Sequence, residues 1–214
     1  MKDKINNNYI KNENPYNKYK ETVNNDILKL YYQYNHLKNI YRQGWLTSLL
    51  GMEYKDKSES IADHSWSVTM LAISVIEKYD LDYNIEKCMK LSLVHEIGEI
   101  YAGDFIPNSI SKEEKHKLES DAVDKLFVDI EFKNDFKELW NEYENCESEE
   151  AKFIKQLDKL ECIIQASCYG LNSKYISGAD KIKLPCLIEI LEEVIKISEN
   201  NEVPLFMRNG KTGK

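Results

Sequence analysis

Between Cys88 and Ile100 the chain sets Cys88, Met89, Leu91, Leu93, Val94, Ile97 and Ile100 around most of a helix circumference. A helix that is apolar nearly all round survives in water only when other elements enclose it. This segment therefore predicts a buried central helix, stopping near Gly103-Asp104 ahead of Pro107, with a shell of further helices around it.

The rest of the chain offers that shell. Asn24 or Asn25 can each cap a helix, and Ile27, Leu28, Leu30, Tyr31, Tyr34, Leu37 and Ile40 then recur at helical spacing to about residue 41, with an end at Gln43-Gly44. A loop over roughly 46 to 60 leads to Ser60-Ile61-Ala62-Asp63, a Ser-x-x-Asp capping box ahead of Trp66, Val68, Leu71, Ala72, Val75 and Ile76. His64 therefore falls in the first turn of a helix. Further helical patterns cover about 112 to 129, 133 to 144, 148 to 170 and 185 to 198, and no segment alternates convincingly as a strand. With only 8 Gly and 4 Pro the composition suits helices better than a turn-rich sandwich, so the expected class is all-α.

A chain of 214 residues is long enough for one domain burying about 70% of its unfolded surface. Residues 1–22 are Asn- and Lys-rich and poor in aliphatics, so a flexible tail is expected there, a domain over 23–200, and a C-terminal tail over 201–214. Five cysteines without a C-x-x-C pair fit a reducing cytoplasm rather than a disulfide framework. Neither a signal-peptide core nor a membrane-length apolar run is present in the sequence. The net charge of -8 disfavours polymeric nucleic acid as a partner but leaves small anionic substrates open, because a bound cation inverts the local field.

The central helix carries the chemistry. His95, Glu96, Glu99 and Asp104 lie within or just after it, and charge buried there is costly unless it is paired or binds metal. On a continuous helix Glu99 shares a face with His95, while Glu96 points about 100° away from it. The His-Glu-x-x-Glu spacing is half of a zincin motif, whose fifth position is His, so a peptidase of that type is disfavoured. Asp158, flanked by Ile154, Leu157, Leu160 and Ile164, also risks burial; taken alone it could pair with Lys155 or Lys159. Taken alone, too, His64 and His95 are ordinary core or surface histidines, Trp45 is a packing residue and Lys112 and Lys115 belong to a solvated helix face. His36 and His116 lack comparable context and are expected on the surface.

Taken together, these pieces resemble the HD-domain superfamily, and within it the 5'-deoxynucleotidase branch. The resemblance runs from about residue 37 to 170. It rests on Tyr41-Arg42-Gln43-Gly44-Trp45, Glu59-Ser60-Ile61-Ala62-Asp63-His64, Leu93 to Pro107, Lys112 to Lys115, and Leu157-Asp158-Lys159-Leu160-Glu161 with Gln165-Ala166, in the family's order.

The resemblance implies a single HD-domain helical bundle of about six to eight helices. It also implies one divalent ion (Co²⁺, Mn²⁺, Fe²⁺, Zn²⁺ or Mg²⁺) held by His64, His95, Glu96 and Asp158, with Glu96 standing where the family has Asp. Glu99 matches the general acid or water-orienting residue, Asp104 a residue that positions water and leaving group, Arg42 a phosphate contact and Trp45 an aromatic crowding the sugar 2' position. The implied reaction is hydrolysis of deoxyribonucleoside 5'-monophosphates, by a homodimer. Release of triphosphate from a dNTP, hydrolysis of an alarmone or cyclic dinucleotide, and a regulatory module with weakened catalysis are the alternatives. The donor types agree: imidazoles and carboxylates suit a first-row divalent ion, which acidifies its water towards a pKa of about 7 and polarises a phosphoryl oxygen.

Overall fold

In the computed structural model, residues 9–48, 50, 52–106, 109–128, 130 and 134–200 are described. Among them the chain forms helices α1 (Tyr16–Tyr19), α2 (Asp26–Tyr34), α3 (Gln43–Ser48), α4 (Ile61–Tyr79), α5 (Ile85–Val94), α6 (Glu99–Ala102), α7 (Lys112–Leu126), α8 (Asn134–Asn145), α9 (Glu149–Cys168) and α10 (Pro185–Ser198). Seven of these described helices have nine residues or more, within the expected six to eight. Two isolated antiparallel bridges, Ile10 with Ile40 and Tyr41 with Ser60, are the β-type pairings among the described residues. None of their helices is long and apolar enough to cross a membrane.

The chain divides into two compact units, one of residues up to Trp66 with Leu93–Asn141, the other of Ser67–Ser92 with residues from Glu142 on. The core of the first is built by Leu30, Leu37, Ile40, Ile61, Val94, Ile97, Ile100, Val123, Leu126, Phe127 and Trp140. A buried Gln33 cross-links it, donating to the Leu126 carbonyl at 3.2 Å and accepting from the Tyr101 hydroxyl at 2.6 Å. Helix α6 lies so close to α7 that a Cβ on Gly98 would stand 2.9 Å from Glu119 Cβ.

In the second unit Thr69 and Ser92 join α4 to α5 through a buried hydroxyl pair at 2.8 Å. Tyr83 stacks on Phe153 of α9 with ring centroids 4.5 Å apart. Gln156 accepts from the amides of Lys183 and Leu184 at 2.7 and 2.9 Å, anchoring the turn into α10, which Pro185 starts at a position that needs no amide donor.

Three expectations change. The first long helix ends at Tyr34, and Asn35–Asn39 continues as a 3₁₀ turn that still buries Leu37; α3 and a 3₁₀ segment, Met52–Lys57, occupy parts of the expected loop. The central helix is not continuous: α5 stops at Val94 and α6 starts at Glu99. Between them Ile97 N, Glu99 N and Ile100 N donate three residues back, to Val94 O, Glu96 O and Ile97 O. Leu91, Val94, Ile97 and Ile100 recur every third residue, a period that a 3₁₀ turn buries as readily as an α-helix, so the pattern conceals the break. Finally, part of the segment expected as an N-terminal tail is hydrogen-bonded: Tyr41 N donates to Tyr9 O at 2.9 Å and Lys11 N to Asn39 O at 2.7 Å. Residues 1–8 and the expected tail over 201–214 lie outside the described residues.

Candidate metal centre

The first turn of α4 is built by its own sequence. Ser60 N donates to Asp63 Oδ2 at 2.8 Å and Asp63 N to Ser60 Oγ at 3.2 Å, the reciprocal bonds of a capping box. The amide of Ile61 donates to Ile40 O at 3.0 Å, fastening that turn to the preceding segment. His64, on this turn, is fully buried, and His95, in the break after α5, is buried too.

Their Nε2 atoms face each other 3.4 Å apart. Glu96 Oε1 lies 3.7 Å from Nε2 of His64 and 3.5 Å from Nε2 of His95. Two ligands each about 2.1 Å from one ion stand about 3.0 Å apart at a right angle and about 3.4 Å at the tetrahedral angle. Two imidazole nitrogens and a carboxylate oxygen at these separations fit a divalent cation. All three residues offer ligand atoms within 4.8 Å of one another.

Five more ionisable groups, Arg42, Glu59, Glu99, Asp104 and Lys115, surround this set. Arg42 Nη1 donates to Glu96 Oε1 at 3.1 Å, and Arg42 Nε lies 3.9 Å from Glu59 Oε1. Burial favours neutral Glu96, yet His95, Arg42, Lys115 and His64 outweigh it and hold the carboxyl down at about 2. Glu99 behaves oppositely. Burial, then the negative charges of Glu96 and Asp104, push its carboxyl well above the usual range, and its Oε2 has no hydrogen-bond partner among the described residues. Asp104 is raised by burial and by Glu96 against the pull of Arg42; it accepts from the Gln43 amide at 2.5 Å. Lys115 is held charged: Glu99, Glu96 and Glu119 outweigh its burial, and its Nζ is 3.0 Å from Glu119. Glu96 is thus pushed towards its anion by neighbouring cations, and Glu99 towards its protonated form by burial and neighbouring anions.

Trp45 is buried in the first unit and donates from Nε1 to Glu59 Oε1 at 2.7 Å. Asp158 is buried on α9 of the second unit, where Lys159 Nζ donates to Oδ2 at 2.7 Å and Tyr143 OH at 3.4 Å. Lys155, the other expected partner, pairs with Glu144 at 2.8 Å and lies over the Tyr143 ring.

The first unit thus gathers His64, His95, Glu96, Glu99, Asp104 and Arg42. Glu59, which joins Trp45 to Arg42, received no role from sequence; its one signal is its place in the segment that ends at His64. Lys115, on the partly solvated face of α7, is also the partner of the buried Glu119. His36, expected on the surface, is buried, and burial lowers its imidazole to about 4.

Residues 34–184 match the HD domain family. The 5'-deoxynucleotidase HDDC2 of Mus musculus is 35% identical over 169 residues, spanning 74% of this chain and 81% of that protein. The protein of the same name from Danio rerio is 37% identical over 171 residues, spanning 74% of this chain and 80% of its own. Among solved structures, a protein from Pyrococcus horikoshii superposes with a TM-score of 0.60 at 28% identity, covering 83% of this chain and 98% of that one.

Proposed function

Because the chain belongs to the HD-domain family, we propose that it is a metal-dependent phosphohydrolase that converts deoxyribonucleoside 5'-monophosphates to deoxynucleoside and phosphate. The observation that carries this reading is the convergence of His64 Nε2, His95 Nε2 and Glu96 Oε1 beside Arg42 and a buried acid at Glu99. A chain with two relatives named as 5'-deoxynucleotidases and this donor set has both the family and the chemistry for the reaction.

In this reading one divalent cation is held by His64, His95 and Glu96, with Asp158 of α9 as the fourth ligand. Asp158 enters on the sequence pattern around it and on its burial as a carboxylate. When bound, the ion supplies Lewis acidity, polarising a phosphoryl oxygen and acidifying water. The imidazole and carboxylate donors favour a first-row ion such as Co²⁺, Mn²⁺, Fe²⁺ or Zn²⁺, with Mg²⁺ as the hard alternative.

The side chains do the rest. Arg42, already beside Glu96, turns its guanidinium charge towards the phosphate. Water adds to phosphorus, the bond from phosphorus to the 5'-oxygen breaks, and Glu99 delivers the proton that this oxygen needs to leave as an alcohol. Burial and the charges of Glu96 and Asp104 raise this carboxyl, which favours its protonated, proton-donating form. Asp104, fixed by Gln43, orients the water and the leaving group, and Trp45 crowds the sugar 2' position. A homodimer located in the cytoplasm belongs to the same reading, supported by the family resemblance and by five cysteines that carry thiols; light scattering of the purified chain tests the dimer.

The test is release of free phosphate from a panel of nucleotides with Co²⁺, Mn²⁺ or Mg²⁺. Turnover of deoxynucleoside monophosphates is expected. Turnover of triphosphates or alarmones alone, or binding without turnover, overturns the reading. Elemental analysis of His64→Ala and His95→Ala proteins is expected to show lost metal; unchanged uptake in both refutes the ligand set.

A further inference from the structure

The first unit contains a small relay whose central residue, Glu59, has no role in the proposed reaction. Glu59 is buried, and one of its oxygens, Oε1, accepts from Trp45 Nε1 at 2.7 Å and lies 3.9 Å from Arg42 Nε. The backbone doubles the link. Arg42 N donates to Glu59 O at 3.2 Å, Trp45 N donates to Arg42 O at 3.3 Å, and Tyr41 bridges to Ser60 beside them. Arg42 in turn reaches Glu96 at 3.1 Å with its other end.

We propose that Glu59 is a positioning residue that sets nucleotide selectivity: its carboxylate holds the Trp45 indole and the Arg42 guanidinium in one fixed relation. The proposal rests on the roles assigned above to Arg42 at the phosphate and Trp45 at the sugar. An indole ring is able to exclude a 2'-hydroxyl only if it cannot swing away. With a buried carboxylate on its Nε1, rotation of the ring forfeits a charge-assisted hydrogen bond and leaves a desolvated anion behind. The same anion lies 3.9 Å from Arg42 Nε while Glu96 accepts from Nη1, so the guanidinium has a carboxylate at each of two nitrogens. Glu59 thereby couples the distance between phosphate and sugar to the fold itself. It touches no substrate atom.

Glu59→Gln and Glu59→Ala separate its two tasks. Gln still accepts from Trp45 but is neutral towards Arg42, whereas Ala does neither. With deoxynucleoside and ribonucleoside monophosphates as paired substrates, Glu59→Gln is expected to raise KM for both about tenfold while keeping their kcat/KM ratio; Glu59→Ala is expected to reduce that ratio about tenfold as well. A two-dimensional NMR spectrum of the tryptophan indole groups, with the Trp45 signal assigned from Trp45→Phe, supplies a readout independent of turnover. The Trp45 proton, bonded to a carboxylate, is expected downfield of the other indoles and to move upfield in Glu59→Gln. If the ratio is unchanged in Glu59→Ala, the proposal is overturned. An unmoved Trp45 signal in Glu59→Gln overturns it too, including where Glu59→Ala fails to fold. Failure of the wild-type protein to turn over any monophosphate instead refutes the assigned reaction, and the indole spectrum still judges the hydrogen bond.

Discussion

Replacing Gly98 with alanine adds one methyl group at the tightest point of the first unit. The backbone there has φ of -59°, which any residue adopts, so conformation is not the obstacle. Space is. The new Cβ would stand 2.9 Å from Glu119 Cβ, 3.2 Å from its Cγ and 3.3 Å from its Cα. Carbon atoms rest at about 3.5 to 4.0 Å, and two of these three neighbours sit next to or in the α7 backbone, so α6 or α7 must shift. Overpacking of this kind costs about 1 to 3 kcal/mol. Loss of unfolded-chain freedom on replacing glycine offsets about 0.4 to 1 kcal/mol. At mid-range the net expectation is about 1 kcal/mol of destabilisation, a fall in Tm of about 2 to 4 °C for a chain of this size. Gly44 is the control: a Cβ added there, in α3, would meet nothing within 4 Å, so Gly44→Ala is expected to raise stability by about 0.5 to 1 kcal/mol. Urea and thermal unfolding followed by circular dichroism measure both. A Gly98→Ala protein as stable as wild type, or more so, refutes the close approach of α6 to α7.

Three further outcomes are expected. His36 is neutral in the fold, with its imidazole lowered to about 4, so its contribution is complete above the unfolded value of about 6.5 and is lost as pH falls towards 4; between pH 7 and pH 5 this removes about 1 to 2 kcal/mol, and urea titrations should show that His36→Leu lacks this part of the pH dependence. Ser60→Ala removes both hydroxyl bonds of the α4 cap and should cost about 1 kcal/mol, with weaker metal retention by equilibrium dialysis because His64 stands on that turn; unchanged unfolding would show the cap to be dispensable. Glu99 must be protonated to act, so kcat/KM should fall as pH rises through its raised value, and Glu99→Gln should abolish that alkaline limb along with most of the rate; a limb that survives in the variant assigns it to another group.

Much of this molecule was legible from residue order, and for one reason: its helices and caps are made by neighbours three or four apart. The Ser60–Asp63 box, the Asn25 cap on Leu28 N at 3.1 Å, and the runs behind α7, α9 and α10 required no tertiary information. His64, His95 and Glu96 were legible as candidate ligands through the resemblance to the HD-domain superfamily, since taken alone the two histidines are ordinary core or surface residues. Their convergence was not. A period of three apolar residues serves an α-helix and a 3₁₀ turn alike, and packing against α7 through Gly98 accompanies the turn that places His95 and Glu96. Burial of His36, the raised acid of Glu99 and the bond from Trp45 to Glu59 arise between groups brought together by the fold. The sequence by itself thus determined which segments are helical, through local hydrogen bonding and periodicity, while the side chains proposed to hold a cation were implied by its resemblance to the HD-domain superfamily. Only the tertiary structure decided which carboxyl is pushed towards the anion and which towards the acid, because desolvation and neighbouring charge depend on distances that chain order does not encode.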